Sequence, residues 1–280
     1  MNLPWKLKSF VFGSIEAIKA VNFLYFLQKG ITGRSRRGIS KVSKNWQLHK
    51  EYLVKYNSIG TVFEFGAGKS LAQNLYISDI VKKQIVVDLN PMIDLDLTNK
   101  ARKYLAKLVD LKSIQAIKTL KDLESYGIEY RAPYNAAKTD FKNRSIDACI
   151  STNTLEHIPK ISLESIFAEL FRILNDDGII SAKIDYSDHY AHTDKSISLL
   201  NFLKFDERTW KKYNHNCHYQ NRLRHYDYLA IFRKSGFVII EEELTYGENN
   251  IPPEVIKAFQ DKDKTWKATS GHIILKKEKY

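Results

Sequence analysis

The chain has 280 residues, 44% of them hydrophobic and 27% charged, with a formal net charge of +12. That length buries a sizeable core and suits one enlarged domain, and the even spread of aliphatic and aromatic residues excludes global disorder. The charge is unevenly placed: residues 1–45 carry nine Lys and Arg against the single acid Glu16, a net of +8, which argues against a nucleic-acid groove across the rest of the chain.

Residues 1–57 read as a helical extension, broken around Gly30–Ser40 where Gly30, Gly33 and Gly38 alternate with arginines. The apolar stretch from Ser9 to Gln28 is interrupted by Glu16 and Lys19 and precedes no small-residue cleavage site, so neither a signal peptide nor a spanning helix is expected. Two readings stay open for residues 1–45: a helix folded over the ligand pocket, or an interfacial helix drawn to anionic lipid. Cys149 and Cys217 form no disulfide framework and fit a reducing compartment. The expected location is the cytoplasm, with a peripheral station at the inner face of the membrane as the variant.

From residue 58 short apolar runs alternate with helical patterns, the signature of a parallel sheet with crossover helices. The expected strands are Thr61–Phe65, Gln84–Asp88, Ile128–Arg131, Ile146–Ser151, Ile179–Ile184, Phe237–Leu244 and His272–Lys276. After Pro159, Leu163, Ile166, Phe167, Leu170 and Leu174 fall on one helix face, with Ser162 as the expected cap and Asp177-Gly178 closing the connection to the next strand. Residues 185–225, dense in His, Tyr, Asp, Asn and Arg, read as an insertion that meets an acceptor. The expected fold is therefore α/β, a doubly wound, seven-stranded, mostly parallel sheet over residues 58–280, with the N-terminal extension and an insertion after the fifth strand.

Three segments carry the ligand chemistry. In Val62-Phe63-Glu64-Phe65-Gly66-Ala67-Gly68-Lys69-Ser70 a buried strand ends in a glycine turn that opens a helix, where backbone and ligand approach closely. A phosphate-binding loop needs glycine where Phe63 stands, and a dinucleotide fingerprint needs Gly or Ala where Leu71 stands. Acid-x-Gly-x-Gly remains, on Glu64, Gly66 and Gly68, beside the plain alternative of a turn without a ligand. The second segment, Ile85-Val86-Val87-Asp88, ends in an acid at the interval where nucleotide-binding α/β folds hold ribose hydroxyls. The third is Ser145-Ile146-Asp147-Ala148-Cys149-Ile150-Ser151-Thr152-Asn153-Thr154-Leu155-Glu156-His157-Ile158-Pro159.

In order and spacing these segments resemble the class I S-adenosylmethionine-dependent methyltransferases, across residues 60–184. The resemblance implies a Rossmann-like methyltransferase fold and S-adenosylmethionine as cofactor. It implies that Glu64 orients the glycine loop or the methionine amine, that Gly66 and Gly68 line the methionine and ribose, and that Asp88 holds the ribose with Leu89 against adenine. Asn135-Ala136 stand where the family often has Asp-Ala against the adenine amine, and Ser151 lies beside the methyl-donor pocket. Val87–Pro91, Ser151–His157 and Asp185–Tyr190 further resemble bacterial methyltransferases of cell-surface glycan pathways, which implies a glycan or nucleotide-sugar acceptor. Other small-molecule or lipid-linked acceptors, and a silent cofactor-binding module, remain alternatives, and the oligomeric state is open.

Transfer of a methyl group to a hydroxyl also needs a group that takes the hydroxyl proton. His157 follows the fourth strand, and His189 and His192 follow the fifth, so both segments point to the crevice beyond the strand ends. His189 is the expected base, with Asp188 or His157 as its partner, and Asn214–His225 is expected to contact the acceptor. The spacing matches no familiar metal motif, so no metal is expected, although the clustered Asp and His also admit a divalent cation.

Overall fold

The computed structural model describes residues 4–17, 39, 41–247 and 250–279. Nearly all of the expected Gly30–Ser40 break, and the later part of the Ser9–Gln28 stretch, lie outside them. Seven strands form one sheet: β1 (Thr61–Phe65), β2 (Lys83–Val87), β3 (Ile128–Arg131), β4 (Ile146–Thr152), β5 (Leu174–Asp185), β6 (Phe237–Thr245) and β7 (Ser270–Lys277). Their order is β3-β2-β1-β4-β5-β7-β6, with β7 antiparallel to both neighbours and the other pairings parallel. This is the doubly wound, mostly parallel sheet expected.

Helices cover both faces, which is why the central strands are apolar on both sides. On one face α5 (Lys160–Ile173) and α7 (His225–Lys234) bury Leu163, Phe167, Leu170, Tyr228 and Phe232 against Phe63 and Phe65. On the other, α2 (Lys44–Lys55), α3 (Ala72–Ile77) and α4 (Leu95–Leu105) bury Leu53, Leu75 and Leu105 against Val62 and Val86. The two-residue period of β1 thus sends Phe63 and Phe65 to one layer and Val62 to the other.

Two local expectations are corrected. Pro159, not Ser162, occupies the N-cap of α5, and Ser162 sits inside the first turn with its amide on the Pro159 carbonyl. Asp177-Gly178 does not end a connection but lies within β5, which begins at Leu174 and pairs with β4 across a bulge between Ile146 and Ala148. A side chain at Gly178 would put its Cβ 2.8 Å from the Asp147 carbonyl, so the bulge closes only over glycine.

Between β5 and α7 the chain forms a lobe of short turns around α6 (Glu207–Trp210), and α1 (Trp5–Ala17) packs on this lobe. No residue of α1 or α2 lines the main cavity described below, so α1 covers the insertion rather than the ligand pocket. No helix of the described residues is long and apolar enough to cross a membrane.

Candidate active site

A cavity of about 510 Å³ opens beyond the carboxyl ends of β1, β2 and β4. Gly66, Asp88, Leu89, Asn135, Ala136 and His157 are among its lining residues, so six of the expected site residues, scattered over 90 positions, meet in one place. Gly66 has φ +76° and would put a Cβ 2.3 Å from Thr154 Cγ2, a position only glycine fills. Gly68 has φ +75° and open space on its Cβ side. Leu89 is 70% exposed at the rim, an apolar surface available to a flat ring. Asn135 is partly committed, because its Oδ1 accepts the Ala137 amide at 2.9 Å; a carbonyl oxygen has a second lone pair.

Asp88, just past β2, is buried and accepts a 2.8 Å hydrogen bond from Tyr130 Oη. Burial raises its carboxyl, while Tyr130 and the Gly68 amide act against that rise. Tyr130 was not anticipated from sequence; its place opposite Val86 in the β2–β3 register brings it to Asp88. If Asp88 holds the ribose hydroxyls, Asp88→Ala should weaken S-adenosylhomocysteine binding by about 1.5–3 kcal/mol, roughly 10- to 150-fold. Calorimetry on the folded variant measures it, and unchanged affinity would remove Asp88 from the cofactor site.

Glu64 is outside the cavity lining. It is buried among amides from α3, accepting from Gln73 Nε2 at 2.9 Å and Asn74 Nδ2 at 2.6 Å. Burial raises its carboxyl to about 7 despite those bonds, with the nearby Asp88 adding to the rise. A carboxyl raised on folding stabilises the fold below its unfolded value and loses that contribution as pH climbs through the folded value. Ionising Glu64 therefore costs the ligand-free protein up to about 3 kcal/mol between pH 4.5 and 7. Glu64→Gln should flatten that decline in thermal midpoint, and an equally steep decline in the variant would refute the assignment. Ser151 is buried beside the β4 end with its hydroxyl unpaired among the described groups.

Of the expected catalytic residues, His157 lines this cavity and His189 lies beside it. The His157 and His189 rings lie 4.9 Å apart, as do those of His189 and His192. Burial holds His157 and His192 below the usual imidazole value, and His218 down to about 3. Of the two partners expected for His189, His157 packs beside it, but Asp188 does not face it. Asp188 is fully buried and bonded to the Tyr190 amide (2.8 Å) and Asn201 Nδ2 (3.1 Å), ties that fix the loop. The carboxylate facing His189 is that of Asp185, with Oδ2 3.5 Å from His189 Nε2 and 3.6 Å from His192 Nε2. Asp185 is the last residue of β5, and its position at a strand end was the signal available in the sequence.

Residues 214–225 brace these histidines. Gln220 accepts the His189 amide at 3.1 Å and donates to the Ser187 carbonyl at 2.5 Å. Asn221 donates to the Leu155 and Ile158 carbonyls on either side of His157, and the Tyr219 carbonyl accepts from His157 Nδ1 at 2.8 Å. Arg224, fully buried, donates to the carbonyls of Trp266, Tyr186 and Ala268. Gln220, Asn221 and Arg224 thus hold the site in shape, where the sequence suggested contact with an acceptor. Glu156 is also buried beside His157, and burial pushes its carboxyl well above the usual range.

A family model described as a methyltransferase domain matches residues 64–182. Among solved structures, the chain is similar to a Burkholderia thailandensis 1,6-didemethyltoxoflavin-N1-methyltransferase bound to 1,6-didemethyltoxoflavin and S-adenosylhomocysteine. The identity is 12%, covering 94% of this chain and 90% of that one, with a TM-score of 0.52. An S-adenosylmethionine-dependent methyltransferase from Clostridium acetobutylicum is 11% identical over 92% of this chain and 98% of that one, with a TM-score of 0.48. No curated protein matches the chain. The matched segment begins at Glu64 and takes in the glycine turn, Asp88 and the fourth-strand motif, the stretches from which the cavity is built. Residues 64–182 thus match a methyltransferase domain, carried on the seven-stranded, mostly parallel sheet of the Rossmann-like methyltransferase fold.

Proposed function

We propose that the enzyme methylates a hydroxyl oxygen, on a sugar in cell-surface glycan biosynthesis. The observation that carries the choice of oxygen is the His189–Asp185 pair at the edge of the cofactor cavity, reached through His157, which belongs to both. S-adenosylmethionine brings an electrophilic methyl carbon on a sulfonium, which needs no further activation. The protein's part is to hold the acceptor in line and to relieve the hydroxyl of its proton. Gly66, Gly68, Asp88 and Leu89 would hold the cofactor, and the His189–Asp185 pair is where the proton goes. The sugar acceptor rests on the resemblance of Val87–Pro91, Ser151–His157 and Asp185–Tyr190 to methyltransferases of glycan pathways.

The test is incubation with labelled S-adenosylmethionine and a glycan-precursor extract of the host, followed by identification of the labelled product. A methyl ether on a sugar or nucleotide sugar is expected. Label found on nitrogen, or only on a lipid-linked or aromatic acceptor, would overturn the reading.

A further inference from the structure

Beside the cofactor cavity several buried polar atoms make no hydrogen bond, although Asp185 Oδ2 stands 3.5 Å from one of them, His189 Nε2. Glu156 is 1% exposed, and neither of its carboxylate oxygens accepts a hydrogen bond. His189 Nε2 is also buried without a hydrogen bond. His157 gives its Nδ1 proton to the Tyr219 carbonyl, which leaves the lone pair of the neutral ring on Nε2. One ligand atom from each of these three residues lies within 4.8 Å of the other two. A buried carboxylate with nothing to bond is costly, and a cation removes that cost.

We infer that Glu156, His157 and His189 bind one divalent cation. Two imidazoles and a carboxylate favour zinc or iron(II) over magnesium or calcium, and three protein ligands leave positions open for an outside oxygen. The Tyr219 carbonyl on His157 Nδ1 is the outer contact that commonly fixes a metal-binding imidazole. Asp185, His189 and His192 form a second group of similar closeness. It is the weaker set: Asp185 Oδ1 is already bonded to the Ser187 amide and hydroxyl, and His192 Nε2 lies 2.9 Å from Ser187 Oγ. Glu156 has no competing side-chain bond; the backbone amides of Glu156 and Asp185 lie near its carboxyl and only partly offset its burial. Metal binding and proton acceptance at His189 Nε2 exclude each other. In the loaded protein an acceptor hydroxyl would bind the cation, and its proton would pass to Asp185, 3.5 Å from that nitrogen.

This use of the cation rests on the proposed hydroxyl methylation, but its binding does not, and the experiment reads binding directly. The full-length protein, freed of metal with a chelator, is titrated with zinc by calorimetry and with cobalt(II) by visible absorption. One saturating equivalent is expected, with the spectrum of cobalt bound by nitrogen and oxygen. Glu156→Gln and His157→Ala should each weaken binding at least about tenfold, and Asp185→Asn should weaken it less. His157 is exposed, so its variant tests the site even if Glu156→Gln does not fold. A flat titration, or one unchanged in both Glu156→Gln and His157→Ala, would overturn the inference whatever the turnover. Normal zinc binding without methylation of any hydroxyl acceptor would instead overturn the proposed reaction and leave the cation site standing.

Discussion

His189→Ala is expected to lower turnover about 10²–10⁴-fold while S-adenosylhomocysteine still binds nearly normally. His189 does not line the cofactor cavity, so its loss should spare affinity, but it is the shared member of the cluster, within 4.9 Å ring to ring of both His157 and His192. Its side chain is 13% exposed and its backbone is pinned by Gln220, so the ring is placed before any acceptor arrives. Under the proposed hydroxyl transfer, the loss of His189 removes either the imidazole that takes the proton or a ligand of the cation that would hold the hydroxyl. His192→Ala, at a side chain 46% exposed, should cost much less. Asp188→Asn should show mainly as lost stability, because its carboxylate ties Tyr190 and Asn201. Single-turnover measurements with saturating acceptor decide the matter. Near-normal turnover in His189→Ala, or inactivity confined to His157→Ala, would take His189 out of the chemistry.

Trp5→Ala should remove about 3–5 kcal/mol from the stability of the 185–225 lobe, as truncating a buried aromatic commonly does. The Trp5 ring meets those of Tyr190, Phe205 and Tyr213 at 5.6, 5.7 and 4.8 Å, and its amide donates to Asp194 Oδ2 at 2.8 Å. Phe12 adds a contact with His218 at 4.8 Å, and the His218 ring lies 6.2 Å from that of His189. Hydrogen exchange should therefore rise across residues 185–225 while β1 to β4 stay protected, and turnover should fall with the loosened lobe. A loss below about 1 kcal/mol would mean that α1 decorates the lobe without holding it. The opposite face of α1 exposes Leu7, Phe10 and Val11, so Phe10→Ala is the matched control and should leave stability nearly unchanged.

Much of this protein was legible in its sequence. Each expected strand appears in the sheet; for the central ones the reason is that a short, nearly all apolar run bounded by turn residues has few other ways to be buried. The glycine turn and Asp88 were equally readable: the positive φ of Gly66 and the strand-end position of Asp88 are set by neighbours in the chain. Boundaries were less so. β5 starts at Leu174 because a bulge opposite Asp147 lets it pair with β4 earlier than its apolar run begins, and a bulge depends on the partner strand.

Only the tertiary structure decided which side chains meet. Asp185, rather than Asp188, faces His189 because the loop after β5 turns Asp188 into the lobe to satisfy Tyr190 and Asn201. In sequence Gln220, Asn221 and Arg224 read as acceptor contacts, yet each is buried and donates to carbonyls distant in the chain. Glu156 was legible only as part of a motif; that both its oxygens are buried without a bond follows from the packing around it. Spacing in sequence determines periodicity and turn geometry, which act over a few residues. Pairing of polar groups is determined by the approach of segments tens of residues apart, where the cost of burying an unbonded donor or acceptor chooses among many arrangements that the sequence alone leaves equal.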